Sequence, residues 1–199
     1  KNTMKRKRKA MRRNDESKVS SKTEVVLALG SNIGNRNDYL DQAICALESL
    51  IGPLQESSRW VSDPILQEPH DANADAGNLD VEQAQDQYIN MVVIGSTQLS
   101  PLSLLAETQK IEESLGRPAR HGFHTPRTID IDLIAIGSTQ VCSDVLTLPH
   151  KEAMNRLFVL LPLAELRPDY CFAMQTKPIA QLITQAPQIS INPQSTEAR

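Results

Sequence analysis

Apolar and polar residues alternate most regularly in residues 128–136, which read TIDIDLIAI. Because successive side chains of a strand point to opposite faces, Ile131 and Leu133 are expected on one face and Asp130 and Asp132 on the other. A similar alternation in residues 88–94 separates Tyr88 and Asn90 from their apolar neighbours. These patterns predict two strands, each with one face that carries polar side chains.

Apolar residues recur at helical spacing in two stretches. The first begins after Asn35 or Asn37, either of which could be the N-cap, and stops at Gly52. The second opens with Ser100 as N-cap and Pro101 at the first helical position. Two helices that pack against the predicted strands are therefore expected.

Further strands are predicted at residues 24–29 and 54–61, so the order of elements is β-α-β-β-α-β. This order is typical of a ferredoxin-like split βαβ unit. The predicted class is α+β, with helices that cover one face of a largely antiparallel sheet. A three-layer sandwich is the expected architecture of the domain.

The chain of 199 residues is 40% hydrophobic, which is sufficient for one domain with a core. We expect this domain at residues 23–175, after a basic tail at residues 1–22 and before a polar tail at residues 176–199. Residues 1–13 contain eight lysines and arginines and no acidic residue, although the net charge of the chain is −3. Such a segment is typical of a solvated extension, with weak nucleic-acid binding or targeting as the alternatives.

Composition excludes some classes of protein. No apolar run approaches the roughly 20 residues that a bilayer-spanning helix needs, and no apolar core follows the charged start. The odd number of cysteines, without the spacing of a metal site, predicts reduced and packed thiols: Cys45, Cys142 and Cys171. A cytoplasmic monomer that does not contact a membrane is expected.

Residues 67–87 are polar, acidic and without periodicity. A loop of this length inside a compact domain is usually either a functional lid or a disordered insertion. Both alternatives remain open from the residues alone.

The two carboxylates of residues 128–136 indicate metal or phosphate chemistry. Asp130 and Asp132 would lie about 6–7 Å apart on one face of a strand and would repel each other unless a cation lay between them. Carboxylate oxygens are ligands that Mg²⁺ prefers, and the nearby Arg117, Arg120 and Arg127 suit phosphate oxygens. The alternative is that the two aspartates form the solvated face of an amphipathic strand.

Three other features allow two interpretations each. Glu112 lies in the last turn of a helix, where the dipole favours cations, so it could serve the site or form a plain salt bridge with an arginine. Tyr88 and Asn90 could stack on and hydrogen-bond a flat heterocycle, or could simply be exposed. His150 could be catalytic or structural.

Four blocks of the sequence resemble the 6-hydroxymethyl-7,8-dihydropterin pyrophosphokinase family. They are LALGSNIGNR at 27–36, YINMVV at 88–93, the segment from Ile111 through PRTIDIDL to Leu133, and LTLPHKEAMNRLFVLLPLAEL at 146–166. The third and fourth blocks are specific, and all four follow the order of the family.

The resemblance implies transfer of diphosphate from MgATP to the pterin hydroxymethyl group, in folate biosynthesis, with release of AMP. Asp130 and Asp132 would bind two Mg²⁺ ions, and Arg117 and Arg127 would contact phosphates, so that these four residues form the catalytic set. The residues that the resemblance assigns to ATP, besides these arginines, are Gln109, Glu112, Thr147, His150 and Arg156. Those that it assigns to the pterin are Gly30, Asp63, Pro64, Leu66, Tyr88, Asn90 and Phe158.

The chain departs from the family pattern at several positions. The family usually has tryptophan at His124, arginine at Ala119, a basic residue at Val145, tyrosine at Lys151 and threonine at Asp63. Because the aspartate pair and the main phosphate arginine are retained, activity is expected, either slower or with altered loop closure. The alternative function is that of a non-catalytic paralogue that binds nucleotide or pterin in a regulatory role.

Overall fold

The structure is a computed structural model, and it describes residues 22–64, 87–117 and 127–195. The strands are β1 (Thr23–Ser31), β2 (Gln55–Glu56), β3 (Trp60–Ser62), β4 (Tyr88–Thr97), β5 (Asp130–Ile136), β6 (Val141–Cys142), β7 (Thr147–Leu148) and β8 (Ile191–Pro193). The α-helices are α1 (Arg36–Ile51), α2 (Pro101–Ser114), α3 (Leu157–Leu166) and α4 (Ile179–Gln185), and Ala153–Asn155 form a 3-10 turn.

The main sheet has the strand order β5-β1-β4-β3-β8, and β2 also pairs with β4. Neighbouring strands are antiparallel at each described pairing, and β6 and β7 form a separate two-stranded ribbon. The predicted α+β class with an antiparallel sheet is confirmed. The order β5-β1-β4-β3 is consistent with the predicted ferredoxin-like core.

Helices cover both faces of this sheet, because the central strand β1 is apolar on both sides. Val25, Leu27 and Leu29 belong to one core cluster with α1 and α2, whereas Val26 and Ala28 belong to a second cluster with α3 and α4. The expected three-layer sandwich is present. The prediction that helices cover only one face is wrong, since the apolar run after residue 156 forms a helix on the second face.

The helix ends agree with the predicted capping residues. The Ser100 hydroxyl accepts a hydrogen bond from the Ser103 N–H at 3.2 Å, as an N-cap should. Asn35 is the N-cap of α1, although its side chain donates to Asp38 and not to the helix backbone. Helix α1 ends at Gly52, whose φ of +87° is readily adopted by glycine.

The strand predicted at residues 54–61 is divided into β2 and β3. Between them, the Ser57 hydroxyl accepts from the Val92 N–H at 2.9 Å, and the Ser57 N–H donates to the Val92 carbonyl at 3.0 Å. A side chain thus takes one place in the ladder and interrupts the regular pairing. Strand β5 begins at Asp130, two residues later than predicted.

The C-terminal segment is part of the folded domain, and the prediction of a polar tail from residue 176 is wrong. Ile179, Leu182 and Ala186 are buried in the second core cluster, and β8 pairs with β3. Their spacing is helical, but the polar residues between them hid the apolar stripe. Only residues 196–199 of the predicted tail lie outside the described residues.

Replacing Ile179 with Ala should lower the free energy of unfolding by about 2–4 kcal/mol, because this side chain is fully buried and its removal leaves a cavity. The matched control is Gln181→Ala, which changes an exposed residue of the same helix. Urea denaturation of the full chain measures both. Equal stability of the two variants would show that α4 is not part of the cooperative fold.

The structure also bears on the predictions about the cysteines and about membrane-spanning helices. Cys45, Cys142 and Cys171 are free, as expected, but they are exposed, so the prediction of packed thiols is wrong. None of the helices in the described ranges is both long and apolar enough to cross a membrane. The predictions that concern the tail at 1–21, residues 67–86, Leu66, Ala119, Arg120 and His124 fall outside the described residues.

Candidate active site

Four neighbouring strands present one row of site residues on the face that α3 covers. The register pairs Asp130 with Gly30, Gly30 with Asn90, and Asn90 with Trp60. Side chains directly opposite each other in an antiparallel pair point to the same face. A carboxylate, a position without a side chain, a carboxamide and an indole therefore lie side by side.

The centre of this row is shallow because residue 30 is glycine. A Cβ atom placed there would lie 3.3 Å from Asn90 Oδ1. The amide of Asn90 is held in turn, since its Nδ2 donates to Ser62 Oγ at 3.0 Å in a buried position. Ser62 was not predicted as a site residue. Its position two residues after Trp60 in a strand puts both side chains on the same face, which is the sequence signal that could have identified it.

Tyr88 lies opposite Ser62 and two residues before Asn90, so the predicted shared face of Tyr88 and Asn90 is present. Burial raises the pKa of the Tyr88 hydroxyl; Arg127 opposes this effect, and Asp130 adds to it. The ring therefore lies within electrostatic reach of the charged residues of the site and can border a flat ligand above Gly30.

Those charged residues form one network. Asp130 accepts from Arg117 Nη1 and from Arg127 Nη1, each at 2.6 Å, through its two different oxygens. Arg117 also pairs with Glu112. The side chains of Glu112 and Arg117 are only 8% and 12% exposed, so solvent screens this pair weakly.

Glu112 also connects α2 to the backbone of β5. Its Oε1 accepts from the Ile131 N–H at 2.7 Å. Burial raises the pKa of Glu112 to about 7; the Ile131 hydrogen bond and Arg117 lower it, whereas Asp130 raises it. Glu112 therefore does not form only a plain salt bridge. It also connects the end of α2 to the strand that carries both aspartates.

Asp132 faces the same side of β5 as Asp130. Burial, with Asp130 as the next cause, raises the pKa of Asp132 to about 6, against the opposing effect of Arg156, Arg127 and Arg117. A carboxylate that is costly to ionise beside another carboxylate is a site that a divalent cation stabilises. The described residues contain no group of three or more His, Cys, Asp or Glu that could hold a metal. The aspartate pair therefore fits Mg²⁺ that keeps water or phosphate oxygens as its other ligands.

Residues before α3 approach the same face. The Arg156 guanidinium lies 5.7 Å from the centre of the Phe158 ring, and it also influences the pKa of Asp132. The His150 N–H donates to the Ile134 carbonyl at 2.9 Å. Burial, followed by Arg156, lowers the pKa of His150.

The remaining predicted site residues lie outside the row of strand residues and the network of charged residues. Gln109 is exposed on α2, one turn before Glu112, and Thr147 pairs with Cys142 in the β6–β7 ribbon. Asp63 accepts from Gln87 Nε2 at 2.8 Å. The neighbouring Pro64 is the last described residue before the gap that contains Leu66.

Replacing Gly30 with Ala should raise the KM for a heterocyclic substrate about tenfold or more, because the new methyl group would displace the Asn90 amide. The KM for the phosphate donor should change less than twofold. Steady-state kinetics with each substrate varied in turn distinguishes these effects. An equal rise in both constants would argue against a ligand site above residue 30.

A carboxylate pair beside two arginines and a shallow polar cleft is the arrangement expected of an enzyme of the phosphoryl-transfer class. The profile of the 7,8-dihydro-6-hydroxymethylpterin-pyrophosphokinase (HPPK) family matches residues 26–168. The chain belongs to this family. This confirms the resemblance on which the site residues were assigned.

Relatives from several bacteria agree. The 2-amino-4-hydroxy-6-hydroxymethyldihydropteridine pyrophosphokinase of Bacillus subtilis is 37% identical over 142 residues, which are 70% of this chain and 75% of that protein. The protein of the same name from Synechocystis is 37% identical over 161 residues, covering 80% of this chain and 74% of its own length. The corresponding protein of Methylorubrum extorquens is 35% identical over 156 residues, covering 77% and 89%.

A solved structure agrees with the fold. Wild-type HPPK-DHPS of Plasmodium falciparum superimposes with a TM-score of 0.63 at 16% sequence identity. The match covers 85% of this chain and 45% of that chain, so this chain spans less than half of the solved protein.

Proposed function

We propose that this chain transfers the terminal diphosphate of MgATP to the hydroxymethyl group of 6-hydroxymethyl-7,8-dihydropterin and releases AMP. Membership of the pyrophosphokinase family supports this reaction, a step of folate biosynthesis. The observation that carries the proposal is the arrangement of Asp130, Asp132, Arg117 and Arg127 at one end of the sheet.

In this reaction the hydroxymethyl oxygen attacks the β-phosphorus of ATP. The bond between that phosphorus and the oxygen that bridges to the α-phosphorus breaks, and AMP leaves with the bridging oxygen. The hydroxyl proton needs an acceptor, and we assign it to an oxygen of Asp132, which lies on the same face of β5 as Asp130. Two Mg²⁺ ions bound by the aspartates would supply charge neutralisation and a more acidic hydroxyl.

Arg117 and Arg127 can provide the phosphate contacts. Each guanidinium donates to one oxygen of Asp130, beside the position proposed for the phosphates. Planar guanidinium groups match pairs of phosphate oxygens. Because phosphoryl-type transfer depends mainly on positioning and charge, these contacts can supply much of the catalysis.

The pterin would lie over Gly30. The carboxamide of Asn90, fixed by Ser62, offers hydrogen bonds to a heterocycle edge, and the rings of Tyr88 and Phe158 border the same face. Arg156, His150 and Thr147 would then line the nucleotide side. With the pterin on one side and the nucleotide on the other, the hydroxymethyl group would lie between the cleft and the aspartates.

The proposal also covers the bounds of the domain, its location and its partners. We propose that the catalytic domain runs from residue 23 to residue 195, since α4 and β8 pack on the sheet. A cytoplasmic location fits the three free thiols. A monomer with ATP and the pterin as its partners is part of the same proposal. Nucleic-acid binding by the basic segment at residues 1–13 would be an accessory property.

The reaction is tested by incubating the full chain with ATP, Mg²⁺ and the pterin and separating the nucleotides by chromatography. We expect AMP only when all three are present, and no AMP after chelation of Mg²⁺. Formation of ADP would indicate transfer of a single phosphoryl group. Tight pterin binding without any nucleotide product would favour a non-catalytic paralogue, which none of the observed contacts supports.

A further inference from the structure

Asn32 hydrogen-bonds to both the backbone N–H and the backbone carbonyl of Arg127. It follows directly after β1 and is only 2% exposed. Its side-chain Oδ1 accepts from the Arg127 N–H at 2.7 Å, and its own backbone N–H donates to the Arg127 carbonyl at 3.2 Å. One residue thus satisfies both the donor and the acceptor of the Arg127 main chain, across 95 positions of sequence.

The orientation of the Asn32 amide follows from this contact. Since an N–H must meet an acceptor, Oδ1 faces Arg127 and Nδ2 points elsewhere. Nδ2 of Asn32 and Nε of Arg127 are both buried, and neither has an acceptor in the described part of the chain. Buried donors without acceptors are unfavourable, so the favourable part of this contact lies in the two hydrogen bonds to the Arg127 backbone.

Arg127 itself is one of the two arginines that hold Asp130. Its Nη1 donates to Asp130 Oδ2 at 2.6 Å, and its side chain is 21% exposed. In the proposed reaction this guanidinium contacts phosphate oxygens, so the backbone of Arg127 must be held in one position. The Asn32 contact fixes the backbone from which the side chain extends.

We propose that Asn32 is a positioning residue of the diphosphate-transfer site and acts through Arg127. The inference rests on the proposed function, because it names how that site holds its phosphate arginine. Asn32 does not touch the reacting atoms. Without the Asn32 side chain, the Arg127 N–H loses its acceptor. The backbone at Arg127 is then less firmly held, and so is the position of the guanidinium.

The test is a double-mutant cycle on the full chain, with Asn32→Ala, Arg127→Ala and the double variant. Asn32→Ala should lower kcat roughly 10- to 100-fold, the scale that a misplacement of about 1 Å produces. Its KM for the pterin should stay within about twofold of the original. In the Arg127→Ala background the same change should cost less than about twofold, because Asn32 then has no guanidinium to position.

Ser31→Ala is the matched control. Ser31 is fully buried at the end of β1, and its hydroxyl has no partner among the described residues, so the change alters the residue next to Asn32 without removing the contact. Its kcat should stay within about twofold of the original. Effects of Asn32→Ala and Arg127→Ala that multiply in the double variant, or an equal loss in Ser31→Ala, would overturn the proposal.

A second measurement needs neither activity nor a stable variant. In the unmodified chain, the backbone N–H of Arg127 should exchange with deuterium at least about 100-fold more slowly than an exposed amide, as measured by NMR. Exchange at the rate of an exposed amide would overturn the role of Asn32. Failure of the unmodified chain to form AMP would contradict the proposed function instead, whether or not this amide is protected.

Discussion

Replacing Asp132 with Asn should reduce the rate of AMP formation at least about 1,000-fold while making the ligand-free protein more stable at pH 8. Activity falls because the amide cannot serve as an anionic ligand or accept the proton. Stability rises because the buried carboxylate is costly to ionise beside Asp130. A loss of function with a gain in stability is expected where a residue is kept for catalysis.

The gain should depend on pH. The pKa of Asp132 is raised in the folded protein to about 6, above its ordinary value in the unfolded chain. The protonated aspartic acid therefore stabilises the fold fully below the unfolded pKa, and this contribution is lost as the pH rises through about 6. Asp132→Asn should thus gain on the order of 1–3 kcal/mol at pH 8 and almost nothing at pH 4.

Thermal denaturation at both pH values in the presence of a chelator, together with an AMP assay, measures these effects. Asp169→Asn is the control, because Asp169 is exposed and is not among the residues assigned to the site. Undiminished AMP formation by Asp132→Asn would contradict its assignment as a metal ligand. A loss of stability at pH 8 would contradict the cost assigned to its ionised form.

Replacing Glu112 with Ala should lower the free energy of unfolding by about 3 kcal/mol, the typical cost of breaking a buried ion pair. The change removes the acceptor of the Ile131 N–H and one partner of Arg117. Activity should also fall, because Arg117 is held between Glu112 and Asp130.

Two further variants separate the causes. Glu112→Gln keeps an oxygen that can accept from the Ile131 N–H, so it should recover more than half of the lost stability. Glu113→Ala removes an exposed carboxylate from the same turn and should change stability by less than about 0.5 kcal/mol. Equal losses in Glu112→Ala and Glu113→Ala, by urea denaturation, would show that burial of the pair is unimportant.

The parts of the fold that follow local patterns could be predicted from the sequence. The alternation around Asp130 and Asp132 identified both the strand and its polar face, and Ser100 with Pro101 identified the start of α2. These signals are local because side-chain direction and capping depend on neighbouring residues. The motifs of the family then supplied the chemistry.

The parts that depend on distant contacts could not be predicted in this way. Helix α4 was hidden because Ile179 and Leu182 are separated by polar residues, and only packing on the second face of the sheet reveals their burial. The hydrogen bonds of Asn32 to Arg127 and of Ser62 to Asn90 join residues far apart in the chain. Polarity alone does not identify such partners, since a buried polar residue and an exposed one have the same sequence signature.

Phosphorus NMR of a single-turnover mixture tests whether this site transfers diphosphate. Equal amounts of this chain, ATP and 6-hydroxymethyl-7,8-dihydropterin are combined with excess Mg²⁺, and the phosphorus signals are followed. The arrangement of Asp130, Asp132, Arg117 and Arg127 predicts that the three signals of ATP are replaced by the signal of AMP and the two coupled signals of a diphosphate ester. Signals of ADP with a pterin monophosphate, or unchanged ATP, would contradict the proposed reaction.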